Sequence, residues 1–74
     1  MNDKLVIGYQ GEIKSLYEDI KSIKSITSKL YDEDAIARMF EAQGKLIERI
    51  SLLENELFLL EAGVDPKDLP SYNN

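Results

Sequence analysis

Hydrophobic residues recur at steps of three and four along the first half of the chain. Eight positions keep this spacing, and only one of them is polar: Val6, Tyr9, Ile13, Leu16, Ile20, Ile23, Thr27 and Leu30. Residues spaced in this way share one face of an α-helix, and the seam between two packed helices has the same spacing. The pattern therefore predicts an amphipathic helix over about residues 3–30. Because Gly8 lies within a short β-branched stretch, an extended arm over residues 3–9 is the alternative at its start.

The second half repeats the spacing and predicts a second helix over about residues 33–62. Its stripe also has one polar member: Ile36, Met39, Gln43, Leu46, Ile50, Leu53, Leu57 and Leu60. Neither half shows the strict alternation of apolar and polar residues that is typical of a strand. The fold class predicted from the pattern is all-α.

The break between the two stripes is short. Asp32 suits the N-cap of the second helix, and Tyr31 and Ile36 take the positions of a hydrophobic staple. A tight turn at residues 31–32 makes the two helices antiparallel neighbours. The chain is therefore predicted to form an antiparallel helical hairpin over residues 1–63.

The end of the second helix is marked by Gly63, which suits the left-handed position just after a helix. Val64 would then contact Leu59, and Pro66 would prevent the helix from continuing. Residues 64–74 hold two prolines and no helical spacing, so we predict an extended tail with a short turn at its start.

In such a hairpin, residue i lies level with residue 66 − i. Most layers of the seam are then apolar on both sides, but near the turn Thr27 and Gln43 form a polar layer and could hydrogen-bond to each other. A polar layer of this kind fixes the register of packed helices. A pair that contacts a ligand is the alternative.

Some apolar residues lie outside both stripes, and a two-helix hairpin covers only one stripe per helix. Four of them are predicted to mediate self-association of two hairpins into a four-helix bundle: Tyr17, Ile26, Phe40 and Ile47. A chain of 74 residues buries a small share of its surface, and it contains no cysteine for a disulfide and no histidine for a zinc site. Pairing of two copies is therefore the expected source of additional burial.

Four further residues are candidates for binding a different protein. Phe58 and Leu52 lie near the end of the second helix, while Leu69 and Tyr72 could dock as a short linear segment of the tail. A tail that folds back on the hairpin or stays disordered is the alternative.

Composition narrows the class of function. Without cysteine or histidine, nucleophilic triads and the usual base near neutral pH are missing, so we expect no enzyme, no cofactor and no small-molecule substrate. The net charge of −5 disfavours binding to nucleic acid. No apolar run approaches the roughly 18 residues of a membrane span, and the first residues lack a signal-peptide pattern. The cytoplasm, or the host cytoplasm for a viral protein, is the expected location.

These features predict a small protein-interaction module, an adaptor or modulator that binds another protein, of a type common among phage and mobile-element accessory factors. A structural or assembly factor is the second hypothesis. In shape, the predicted architecture resembles the plasmid RNA-regulating Rop hairpin, which dimerises into a four-helix bundle. That resemblance is one of shape only, carries no shared motif and is not evidence of shared function. A regulator of RNA or DNA is the third hypothesis.

Overall fold

Two long helices form most of the molecule. The computed structural model describes residues 3–70, which form α1 (Asp3–Thr27) and α2 (Glu33–Glu61), followed by a single 3₁₀ turn at Pro66–Asp68. No strand occurs among these described residues, so the all-helical prediction is confirmed. The helix begins at Asp3, and no extended arm forms over residues 3–9. The molecule measures 49 × 21 × 14 Å, the shape of one elongated hairpin.

The two helices run antiparallel and face each other along the predicted seam. Every one of the sixteen stripe positions is buried or half-buried. Cross-helix hydrogen bonds join Tyr9 to Glu56, Arg49 to Glu12 and Tyr17 to Glu54. The residue numbers of these pairs add to 65, 61 and 71, on either side of 66, so the seam has the predicted register.

Helix α1 ends at Thr27, three residues earlier than the sequence predicts. The backbone N–H groups of Lys29 and Leu30 donate to carbonyl groups three residues earlier, at 3.0 and 3.1 Å, instead of four residues earlier. The Ser28 hydroxyl also donates to the Ser25 carbonyl at 2.7 Å. Serine hydroxyls and 3₁₀ bonds compete with the α-helical pattern, so the chain leaves the helix here and residues 28–32 form the connection.

Helix α2 starts after Asp32, whose backbone is extended, with φ −80° and ψ 122°. The Asp32 carbonyl accepts the first helical bond from the N–H of Ile36 at 3.0 Å, but the Asp32 carboxylate makes no capping bond. Tyr31 is 97% exposed and therefore does not form the predicted staple with Ile36. Backbone bonding and packing set the position of this helix start, and neither the predicted side-chain cap nor the predicted hydrophobic staple contributes.

The other end of α2 closes through a pair of backbone bonds around Gly63. Gly63 has φ +96° and donates to the Leu60 carbonyl at 3.0 Å, and Val64 donates to the Leu59 carbonyl at 3.0 Å. These bonds form a Schellman motif, which reverses the chain and requires a left-handed residue at its centre. The reversal directs the tail back toward the helices.

The tail between Val64 and Pro70 packs on the hairpin and is not extended. The Asp65 carboxylate accepts a bond from the N–H of Lys67 at 3.0 Å and so caps the 3₁₀ turn. Leu69 then lies fully buried in the main core cluster, together with Tyr9, Leu53 and Leu60. Apolar burial at Leu69 is the physical reason for this fold-back, which local turn signals alone did not reveal.

A candidate protein-binding face

One side of the hairpin carries a column of large apolar side chains in contact with solvent. We call it the docking face and define it by Tyr17 on α1 and by Phe40, Ile47 and Phe58 on α2. Their exposed fractions are 52%, 61%, 52% and 68%. Phe40, Ile47 and Glu54 follow at intervals of seven residues and therefore lie in one row along α2.

A groove between the helices occupies the open end of the docking face. It has a volume of about 640 Å³. Half-buried Ile13 and Leu57 belong to the seam beneath it, and Tyr17 and Phe58 line its sides. A smaller groove of about 270 Å³ lies nearer the connection, next to Phe40. An apolar floor with exposed aromatic walls is the usual form of a helix-binding surface.

Charge is divided between the two walls of the larger groove. The α1 wall contains Lys14, Lys21 and Glu18, a net charge of +1, and the α2 wall contains Glu54 and Glu61, a net charge of −2. Neither wall neutralises the other, because no ion pair joins these five side chains in the described hairpin. The docking face is therefore a dipolar surface with its positive side on α1.

Tyr17 and Glu54 connect the two walls. The Tyr17 hydroxyl donates to Glu54 Oε1 at 3.3 Å, a long bond at an exposed position. The negative charge of Glu54 raises the pKa of the Tyr17 phenol above its usual value, and partial burial and the hydrogen bond act in the same direction.

The structure does not bring together all the residues that were predicted to mediate association. Ile26 is 51% exposed but lies nine residues after Tyr17, about half a turn around α1, so it points away from the docking face. Leu52, 38% exposed, is six residues from Phe58 and about 120° from it around α2. The predicted self-association set thus keeps three members on one face, and the predicted Leu52–Phe58 pair is divided between two sides.

The predicted polar layer lines the smaller groove of the docking face. Thr27 and Gln43 are both half-buried there, next to Phe40. The Thr27 hydroxyl donates to the Ile23 carbonyl at 2.7 Å, within its own helix. The predicted hydrogen bond between Thr27 and Gln43 does not form, because the hydroxyl donor is already satisfied by the helix backbone.

The tail residues that were predicted to bind a partner fall outside the docking face. Leu69 has no exposed surface, so it has nothing to offer a partner in this conformation, and the fold-back alternative describes it correctly. Tyr72 lies outside the described residues.

Sequence reasoning did not find the buried carboxylate of Glu56. This side chain is 0% exposed, and it accepts a hydrogen bond from the Tyr9 hydroxyl at 2.5 Å. A signal was available, because Glu56 stands between Leu53 and Leu60 at helical spacing and therefore shares their buried face. The group lies near the start of α1 and the tail, where it joins the packed end of the hairpin.

Among residues 3–70, neither helix combines the length and the apolarity needed to cross a bilayer. The same residues contain no cluster of three or more acidic side chains placed to hold a metal ion. Comparison of the chain with family models, with curated proteins and with solved structures finds no match. The geometry of the docking face is therefore the basis for inferring function.

Proposed function

We propose that this chain is a non-catalytic protein-interaction module that binds through its docking face. Its first partner is a second copy of the chain, and the two hairpins form a four-helix bundle. As a bundle it acts as an adaptor or modulator of another protein in the cytoplasm. The observation that supports this proposal most directly is the row of exposed Phe40, Ile47 and Phe58 beside Tyr17.

An apolar row of this kind is unfavourable on a protein that stays alone in water. Large exposed apolar patches mark association surfaces, and every Å² of apolar surface removed from water contributes about 25 cal/mol. Face-to-face packing of two hairpins would cover all four residues at once. The same packing gives each helix a second helical neighbour, which is the architecture of a four-helix bundle.

The distribution of buried residues along the hairpin also supports pairing. Residues 21–49 contain no residue that is buried in the single hairpin, although seven of them belong to the seam. Two helices alone leave a seam half-exposed, and small domains usually acquire the missing burial from a further element. A second copy on the docking face would supply part of it, along the flank of the seam that holds Thr27 and Gln43.

The decisive measurement is the solution mass by light scattering after size exclusion, over a hundredfold range of concentration. We expect twice the 8.4 kDa mass of the chain. Ile47→Glu should shift the mass to that of a monomer, because it places a charge at the centre of the covered face. The matched control is Tyr31→Glu, which adds the same charge at an apolar residue that is more exposed but lies in the connection.

Circular dichroism must show that both variants remain helical. A wild-type mass of 8.4 kDa at every concentration would refute self-association. Equal effects of the two substitutions would show that any added charge disrupts pairing and that the docking face has no special role.

A structural or assembly factor is the second candidate, and the position of Ile26 and Leu52 favours it. Both are apolar, partly exposed and directed away from the docking face, so a closed dimer would still present them. An assembly factor would grow beyond the dimer as concentration rises, and Ile26→Lys with Leu52→Lys would stop that growth at the dimer. An adaptor would remain a dimer, and the same substitutions would leave its mass unchanged.

A further inference from the structure

We propose that the two copies dock with their connections at the same end, so that α1 of each copy packs against α2 of its partner. This inference rests on the proposed self-association and adds the orientation of the second copy. Two copies that share one face are related by a two-fold axis, which makes the interface self-complementary. The axis has two possible directions, and each direction brings different walls together.

We call the position of a residue along the long axis of the hairpin its height. An axis parallel to the helices, the parallel axis, places each α1 wall against the partner's α2 wall, and equivalent residues of the two copies keep the same height. An axis across the helices, the crosswise axis, places α1 against the partner's α1 and α2 against the partner's α2. The residues of the partner then run in the opposite direction along the hairpin. The dipolar charge and the apolar register of the docking face discriminate between these two arrangements.

The charges favour the parallel axis. With this axis, the net +1 wall of α1 meets the net −2 wall of the partner's α2. The hairpin register places residue 12 level with Glu54, so Lys14 lies two residues away, a height difference of about 3 Å. Lys14 can therefore reach the partner's Glu54, and neither residue has an ion-pair partner within its own hairpin.

The apolar residues support the same axis. Ile7 lies seven residues before Lys14 and therefore in the same row of α1, which borders the larger groove. Residue 8 is level with Phe58, so Ile7 comes to the height of the partner's Phe58, and these two side chains are 64% and 68% exposed in the single hairpin. Residue 19 is level with Ile47, so Tyr17 lies two residues from the height of the partner's Ile47. Both apolar pairs occur twice in the dimer because of the symmetry.

The crosswise axis gives a poorer match. Its best apolar register places Phe40 opposite the partner's Phe58, with the centre of the dimer at the height of residue 49. That register brings Lys14 to within one residue of the height of the partner's Lys21, where like charges repel each other. It also leaves Ile7 level with the partner's Thr27, without a large apolar neighbour.

Distances between spin labels test the orientation directly. The chain contains no cysteine, so Tyr31→Cys gives one label in the connection of each copy. Connections at the same end place these labels within about 30 Å, since packed helix axes lie roughly 8–10 Å apart. Connections at opposite ends place them at least about 40 Å apart, because the 29 residues of α2 rise by about 44 Å.

A label at Glu48→Cys is the matched control. Glu48 is exposed near the middle of α2, so its label-to-label distance reports a dimer with either axis. A short distance at both positions supports the proposal. A short distance at Glu48 with a long one at Tyr31 overturns the orientation and leaves self-association intact. Absence of dipolar coupling at both positions refutes self-association and the orientation together.

Charge reversal provides an independent test, because the two axes predict changes in dimer affinity of opposite sign for Lys14→Glu. With the parallel axis, Lys14→Glu and Glu54→Lys each weaken the dimer about threefold to tenfold, and the combined variant recovers most of the affinity. With the crosswise axis, Lys14→Glu replaces a repulsion by an attraction to the partner's Lys21 and strengthens the dimer. A tighter dimer for Lys14→Glu would therefore overturn the proposal.

Discussion

The two halves of this hairpin are built from the same seam but differ in how well they bury it. At the open end, Tyr9, Leu53 and Leu60 are buried, and Leu69 closes over them from the tail. Between residues 21 and 49, toward the connection, the seam is equally regular and every residue stays at least partly exposed. The difference lies in a third layer, because only the open end has a segment that folds back over the two helices.

This contrast shows that heptad spacing alone does not create a core. Two helices in contact leave the outer flanks of most seam residues in water, and a third element is needed to exclude it. Ile20 and Ile50, near the middle of the hairpin, are buried outside the cluster that the tail joins. At the open end the chain provides that element itself. Toward the connection, the proposed second copy would provide it.

The largest expected effect comes from deleting the same side chain in each half. Leu53→Ala should lower the free energy of unfolding by about 2–5 kcal/mol, because Leu53 is 2% exposed and leaves a cavity. Leu46→Ala removes the same atoms from a half-buried seam position beside a groove on the side opposite the docking face, which the second copy does not cover, and should cost about 1 kcal/mol. Urea unfolding at one protein concentration measures both, and equal costs would show that the two halves are equally well packed.

The second effect concerns the third layer. Leu69→Ala should lower the free energy of unfolding by about 2–4 kcal/mol, because Leu69 is fully buried against the open end. Lys67→Ala, at an exposed position of the same tail, should change it by less than about 0.5 kcal/mol. Thermal unfolding of the two variants provides the comparison, and an unchanged midpoint for Leu69→Ala would mean that the tail adds no stability.

A smaller effect is expected from two tyrosine–glutamate pairs, one in each environment. Tyr9→Phe removes the donor that bonds to the buried Glu56 carboxylate and should cost about 1–3 kcal/mol. Tyr17→Phe removes the long, exposed bond to Glu54 and should leave the free energy of unfolding close to that of the wild type. Denaturant unfolding measures the free energy of unfolding of both variants. A Tyr9→Phe variant as stable as the wild type would show that the buried bond makes no net contribution to stability.

The smallest effect is a pH dependence at the exposed pair. Glu54 raises the pKa of Tyr17, so the folded chain holds the phenol proton more tightly than the unfolded chain. The resulting stabilisation is present below the ordinary tyrosine pKa of about 10 and is lost as pH rises through the raised pKa. In Glu54→Gln, the pKa of Tyr17 should fall back toward the ordinary value.

Phenolate absorbance follows this titration, and a Tyr17→Phe variant identifies the part that belongs to Tyr17. An unchanged Tyr17 pKa in Glu54→Gln would exclude the Glu54 charge as the cause of the shift.

Local sequence patterns were sufficient to predict the hairpin, because heptad spacing and turn residues act over a few positions. The seam from Val6 to Leu60 and the left-handed Gly63 follow from such patterns. The burial of Leu69 does not, since it depends on the tail packing into a cluster with Tyr9, Leu53 and Leu60, which lie 60, 16 and 9 positions away. The burial of Glu56 could have been predicted from its helical spacing between Leu53 and Leu60. The apolar residues of the candidate site were recognised individually, but Ile26 was assigned to the wrong side because exposure was judged without helix orientation.

The end of α1 was misplaced for a related reason. The apolar stripe continues to Leu30, and its spacing alone extends the helix to that residue. Backbone groups after Thr27 form 3₁₀ bonds and the Ser28 hydroxyl bonds to the helix, and these local alternatives are close in energy to one more helical turn. A hydrophobic residue beyond the last α-helical bond still packs against the seam, so the hydrophobic spacing continues past the residue at which the helix ends.

The fold-back of the tail also has a consequence for the order of events in folding. Leu69 and Tyr9 lie 60 positions apart in the chain, whereas each helix is closed by bonds between residues four positions apart. Contacts between distant residues form only after a large loop has been closed, so we expect the helices and the connection to assemble first and the tail to dock after them. A side chain that packs after the transition state governs how fast the native molecule unfolds and has little influence on how fast it forms. We therefore expect Leu69 to affect mainly the rate of unfolding, and so the lifetime of the folded hairpin.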